Sequence, residues 1–93
     1  MIKLTQQQVD KRVDEHDFWV QRGGFGGARA YFGNTDLRGI DFTNANLRCS
    51  VFRNCDLTDV KFDGADLRYI DVKNCETTGI STVDADERYS TLK

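Results

Sequence analysis

Leu37, Phe42, Leu47, Phe52, Leu57, Phe62, Leu67 and Val72 recur every five residues without a gap. A helix repeats at about 3.6 residues and a strand at two, so neither produces this period. A fixed period of this kind marks a repeat architecture. From Ala30 the chain divides into twelve units: AYFGN, TDLRG, IDFTN, ANLRC, SVFRN, CDLTD, VKFDG, ADLRY, IDVKN, CETTG, ISTVD and ADERY. The third position is large and apolar in the first nine, and the first position is small or aliphatic throughout. These positions are two apart, so an extended segment points both the same way. The others are mostly Asp, Asn, Arg, Thr and Gly, which face water, and Asn, Asp and Gly favour turns. Each unit is therefore one short strand-like side followed by a corner.

Ahead of the repeats, residues 1–22 read as a helix. Thr5 and Gln8 have the spacing of a capping box, and Leu4 and Val9 that of a hydrophobic staple. Val9, Val13, His16 or Asp17, and Val20 form a stripe on an otherwise charged helix. Gly23 and Gly24 suit its C-terminal stop. The helix needs a surface on which to bury Val13, Trp19 and Val20. The open end of a repeat stack needs a cover, because it exposes core and strand edge. Residues 23–29, GGFGGAR, read as a joint with left-handed backbone positions. A phosphate cradle would need a strand before the glycines and a helix after them, and here a helix precedes and a repeat follows.

ANLRC and ADLRY match the pattern A(D/N)LXX fully, and TDLRG, CDLTD and IDFTN match it closely. On these units the chain resembles the pentapeptide-repeat family. Its N-terminal segment also resembles a variant found in phage and bacterial members, through His16, Trp19, Gly23, Gly24, Gly26, Gly27 and Arg29. The resemblance implies a β fold, a right-handed quadrilateral β-helix with four units per turn. A twenty-residue turn agrees with the stacking of Asn34, Asn54 and Asn74, of Arg48, Arg68 and Arg88, of Ala45, Ala65 and Ala85, of Tyr69 and Tyr89, and of Cys55 and Cys75. The expectation is one domain over 1–93: a capping helix (1–22), a Gly-rich joint (23–29), about three coils of repeats (30–89) and a tail (90–93). At a strand spacing of about 4.8 Å the stack is roughly 14 Å tall. The last turn departs from the pattern, with Thr77, Thr82 and Glu87 in the apolar place. A buried unpaired carboxylate is costly, so Glu87 should not lie in a closed core. This end is open to water, bends away, or meets a partner, and Leu92 is placed to stack over Val72.

Composition narrows the function. The chain has 93 residues, 39% of them hydrophobic and 30% charged, and no stretch long and apolar enough to span a membrane. Its start lacks the apolar segment of a signal peptide, so the expected location is cytoplasmic, the host cytoplasm if the chain is phage-encoded. Three cysteines without a CxxC fit reduced thiols. Cys55 and Cys75 should face inward as small hydrophobes, with Cα atoms about 4.8 Å apart, which is within disulfide reach. His16 is the only histidine, and no nucleophile–base set or metal-ligand cluster can be assembled. No enzyme activity, cofactor or metal is expected.

The outward positions carry the functional signal. Residues 35–89 hold eleven acids and seven bases, for a charge of −4, while residues 1–34 carry +1. One side stacks Asp36, Asp56 and Glu76, with Asp59 at its corner. The next offers Asp41, Asp63 and Asp84. The third alternates Asp66 and Asp86 with arginines, and the fourth is basic through Arg53, Lys73 and Lys93. The net charge of −2 argues against direct nucleic-acid binding. Columns of carboxylates on a rigid rod can instead imitate a phosphate strand. The family resemblance implies the same direction: its members include gyrase-protecting factors, and phage proteins of this shape could serve as inhibitors of host defence, including CRISPR effectors. The expected partner is thus a nucleic-acid-binding protein, engaged through Asp36, Asp41, Asp56, Asp59, Asp63, Asp66, Glu76 and Asp84 by a monomer or homodimer. The alternative is an interaction module without mimicry that self-associates through its C-terminal end.

Overall fold

The computed structural model describes residues 1–92. Its regular elements are β1 (Ile2–Lys3), α1 (Gln6–Gln21), β2 (Tyr31–Gly33), β3 (Thr35–Asp36), β4 (Val51–Arg53) and β5 (Asp71–Lys73). The repeats wind into four sides, and every side pairs in parallel with a shift of twenty residues. Tyr31 aligns with Val51 and Val51 with Asp71. On the next sides the ladders are Asp36–Asp56–Glu76, Asp41–Lys61–Ser81 and Asn46–Asp66–Asp86. Four units of five residues thus close one circuit, and the architecture is a quadrilateral β-helix with a helix at its N-terminal end.

The fifth residue of every unit makes the corner. All twelve, from Asn34 to Tyr89, have φ between 55° and 73°. That left-handed region is open to glycine and tolerated by Asn and Asp, which explains Gly39, Gly64 and Gly79 and the recurrent Asn and Asp. Cys49, Tyr69 and Tyr89 adopt it without that advantage.

Inside, the third positions form the core. Phe32 stacks on Phe52 at 4.9 Å between ring centroids, and Phe42 on Phe62 at 5.3 Å. The two stacks meet edge to face at about 6 Å. Leu37, Leu47, Leu57 and Leu67 fill the other two sides and are fully buried. Cys55 is buried among them, Cys75 is half-buried, and all three cysteines are free thiols.

The two ends differ. At the N-terminal end every side of the first circuit is covered. The helix is shorter than residues 1–22: the capping box of Thr5 and Gln8 starts it at Gln6, and Ile2–Lys3 instead add a parallel strand to Thr35–Asp36. The Gln6 side-chain amide takes the place of a strand on the next side, donating to the Asp41 carbonyl at 2.8 Å and accepting the Asp41 N–H at 2.8 Å. On the third side, Asn46 donates to Asp17 at 2.9 Å. There His16 donates through Nε2 to the Arg48 carbonyl at 2.7 Å, and on the fourth side its Nδ1 accepts the Ala30 N–H at 2.8 Å. The face of α1 that packs down is Val9 and His16, with Val13 beside them; Trp19 and Val20 stay partly exposed.

At the other end the register continues through Glu76, Ser81 and Asp86. The chain does not bend away there. Glu87 is exposed, and Ile80, Thr82 and Ala85 are only partly covered. Thr91 starts the next rung: its N–H reaches the Ile70 carbonyl and its hydroxyl accepts the Val72 N–H, which leaves Leu92 buried. Lys93, expected on the basic side, lies outside the described residues.

Candidate functional site

The second residue of most units is Asp or Asn because it builds the corner. Its side-chain oxygen accepts the N–H two residues on, at 2.8–3.2 Å, in Asp36, Asp41, Asn46, Asp56, Asp66 and Asp86, and Glu76 does the same. Such a local bond satisfies a donor that the strand ladder leaves over. These carboxylates therefore have a structural task before any partner is considered.

The residue at the fourth position then decides whether the charge stays free. Where it is arginine, the guanidinium clamps the carboxylate through both oxygens. Arg38 holds Asp36 at 3.0 and 2.9 Å, Arg68 holds Asp66 at 3.0 and 2.8 Å, and Arg88 holds Asp86 at 2.9 and 2.7 Å. The arginine beside them holds the carboxyls of Asp36 and Asp86 at about 2, well below the usual range. Where it is threonine, a neutral hydroxyl binds instead: Thr58 donates to Asp56 at 2.6 Å, and Thr78 donates to Glu76. Hydrogen bonds from Thr43, Thr58 and Thr78 hold the carboxyls of Asp41, Asp56 and Glu76 below their ordinary values, so all three are charged at neutral pH.

The eight expected contact residues thus divide. Asp36 and Asp66 do not offer free charge, because Arg38 and Arg68 neutralise them. Asp41, Asp56, Asp59, Asp63, Glu76 and Asp84 remain. Asp59 and Asp84 stand exposed at corners, and Asp63 accepts from the Ser81 hydroxyl and the Val83 N–H on the next circuit. Arg38 lies 3.8 Å from Asp56 as a shared neighbour, and Lys61 acts on Asp41 from the same side. The net negative surface therefore lies on two adjacent sides and the corner between them, displaced toward the C-terminal end.

The fourth side is less basic than Arg53 and Lys73 suggest. Asp71 stands on it and binds Arg53 at 2.6 Å, a pairing across circuits. The third side carries a signal absent from the acidic count. Tyr89 stacks on Tyr69 at 4.9 Å, and Arg48 lies 5.8 Å from the Tyr69 ring. Arg48 has no clamp because Asn46 replaces the aspartate below it.

Among the described residues no cluster of three or more His, Cys, Asp or Glu side chains is arranged to hold a metal ion, and no helix is long and apolar enough to cross a membrane. Residues 28–64 match the family model described as pentapeptide repeats (8 copies). No curated protein matches the chain.

Proposed function

We propose, from the premise that this chain belongs to the pentapeptide-repeat family, that it is a non-enzymatic protein-binding inhibitor acting by DNA mimicry on a nucleic-acid-handling protein. A right-handed quadrilateral β-helix follows from the family, and about three coils make a rigid block roughly 14 Å tall at the usual strand spacing. The observation that carries the proposal is the group of six carboxylates left unclamped on two adjacent sides, with Asp56 and Glu76 in register one rung apart. A fixed array of this kind costs a partner little ordering entropy and presents the charge that a DNA-binding cleft is built to receive. A short block matches a pocket that reads a few base pairs, such as the one in a CRISPR effector, better than it matches the long channel of gyrase. The protein would then work in the cytoplasm, the host's if it is phage-encoded. Reversing Asp56 and Asp59 to lysine tests this: inhibition and partner binding should disappear while the fold, read by circular dichroism, is kept.

A second function is favoured by one specific contrast. The N-terminal end is covered on all four sides, whereas the C-terminal circuit leaves Val83 63% exposed and Ile80 partly covered. An uncovered parallel edge suits pairing with a second copy. Light scattering across concentration tests this, with Thr82→Lys expected to dissociate any dimer; a monomer throughout would exclude it.

A further inference from the structure

Between α1 and the first circuit lies a cleft of about 180 Å³ lined by Arg12, Glu15, Ala28, Arg29, Ala30 and Tyr31. The acidic surface lies elsewhere. Two arginines meet in the cleft from different elements, one from the helix and one from the joint.

Both guanidinium groups are held in place. Arg12 donates one Nη1 hydrogen to the Tyr31 carbonyl at 3.2 Å and lies 5.4 Å from the Phe32 ring centroid. Arg29 donates through Nε to the Cys49 carbonyl at 2.7 Å and lies 5.8 Å from the Trp19 ring. Each has further N–H groups to offer. Neither has a carboxylate within 4.0 Å among the described residues, whereas Arg38, Arg53, Arg68 and Arg88 each have one. Two anchored guanidinium groups, neither clamped by a carboxylate although Arg29 also acts on Asp71 from a distance, are a fork for a planar or tetrahedral oxyanion, and little rotamer entropy is left to lose on binding. The cleft is too small for a drug-sized ligand, for which about 300–1,000 Å³ is usual.

Glu15 narrows the ligand further. A carboxylate in the lining repels a fully ionised anion but accepts a hydrogen bond from one that keeps a proton. Hydrogen phosphate and the monoanion of a phosphate ester can donate such a bond, and sulfate cannot. Tyr31, 58% exposed, lines the same space while its ring leans over Gly33. We propose that Arg12, Arg29 and Glu15 form a binding site for a protonated phosphate group, free or carried on a small ester.

The test is a titration of the full chain by two-dimensional NMR at pH 6 and constant ionic strength, where about half of a phosphate ester still carries its proton, with inorganic phosphate, phenyl phosphate and sulfate as separate arms. Phosphate should give saturable shifts confined to the amides of residues 28–31 and the Arg12 and Arg29 side chains, with sulfate weaker. Glu15→Gln should abolish that preference. Arg12→Gln and Arg29→Gln should each weaken binding about tenfold, the loss of one charge-assisted partner. Arg29→Lys, which keeps the charge, serves if Arg29→Gln loses its fold, and should weaken binding less. Arg22→Gln and the Asp56/Asp59 lysine variant should bind as the parent does. Tighter binding of phenyl phosphate assigns the site to an ester, and equal binding assigns it to free phosphate. Shifts that never saturate, or natively folded Arg12→Gln and Arg29→Gln proteins that bind undiminished, would overturn the proposal.

Discussion

Ala30 donates its backbone N–H to Nδ1 of His16 across 2.8 Å, at the point where the joint becomes the first repeat. With Nδ1 accepting, the proton sits on Nε2, which donates to the Arg48 carbonyl. One neutral imidazole thus satisfies a donor on one side of the β-helix and an acceptor on the next, with none of its surface exposed.

Acid should loosen this cap first. Burial lowers the His16 pKa below its ordinary 6.5, against an opposing hydrogen bond to Arg48. The stabilisation is therefore complete above about 6.5 and is lost as pH falls through the lower folded value. Protonation also turns Nδ1 into a donor facing the Ala30 N–H. Urea midpoints measured from pH 8 to pH 5 should fall in the parent and fall less in His16→Ala. That variant should itself be less stable at pH 8 by about 2–5 kcal/mol, since two backbone groups lose their partner and a cavity opens.

The core and the open end should respond in opposite ways to changes at the third position. Phe52 is fully buried and touches Phe32, Phe42 and Phe62. Phe52→Ala should cost about 3–5 kcal/mol in urea unfolding. Glu87 occupies the equivalent position in the last unit and is exposed, so Glu87→Leu should be neutral or mildly stabilising.

Corner glycines should differ by what lies beneath them. Gly39 and Gly64 share left-handed backbone, with φ of 72° and 68°. A Cβ at Gly39 meets nothing within 4 Å, whereas one at Gly64 runs into Oδ1 of Asn44 on the circuit below. Gly39→Ala should cost about 1–2 kcal/mol from backbone strain alone, and Gly64→Ala clearly more. Equal melting losses would contradict the stacking of Asn44 under Gly64.

The arginine clamps are testable by carboxyl titration. Asp36 and Asp86 should titrate at about 2. Their contribution to folding is present above the ordinary value of 3.8 and fades as pH falls toward 2. Arg38→Ala should return Asp36 toward the ordinary value and leave Asp86 where it is, read by carbon-detected NMR.

The five-residue period made the β-helix legible, because burial at first and third positions is a property of the chain that each circuit repeats. The capping box was legible for the same local reason. Ile2–Lys3 left no such trace: two residues are too few for a period, and their partners lie thirty-three residues away. The stripe on α1 included Val9 and His16, which are the residues fully buried, whereas Val13, Trp19 and Val20, expected to be buried, are only partly covered. The acidic columns were visible as composition, yet their free charge was not. At the second positions it depends on whether Arg or Thr stands two residues beyond the carboxylate, and on the basic side on Asp71 reaching Arg53 from the neighbouring circuit.

The central claim is that the six unclamped carboxylates occupy a site meant for DNA. Its most direct test immobilises the protein, captures partners from a host lysate, and challenges the captured complex with duplex DNA. The account predicts a DNA-binding protein that duplex DNA displaces and that the Asp56→Lys/Asp59→Lys variant fails to capture. A partner held equally by that variant, or unmoved by excess DNA, would contradict it.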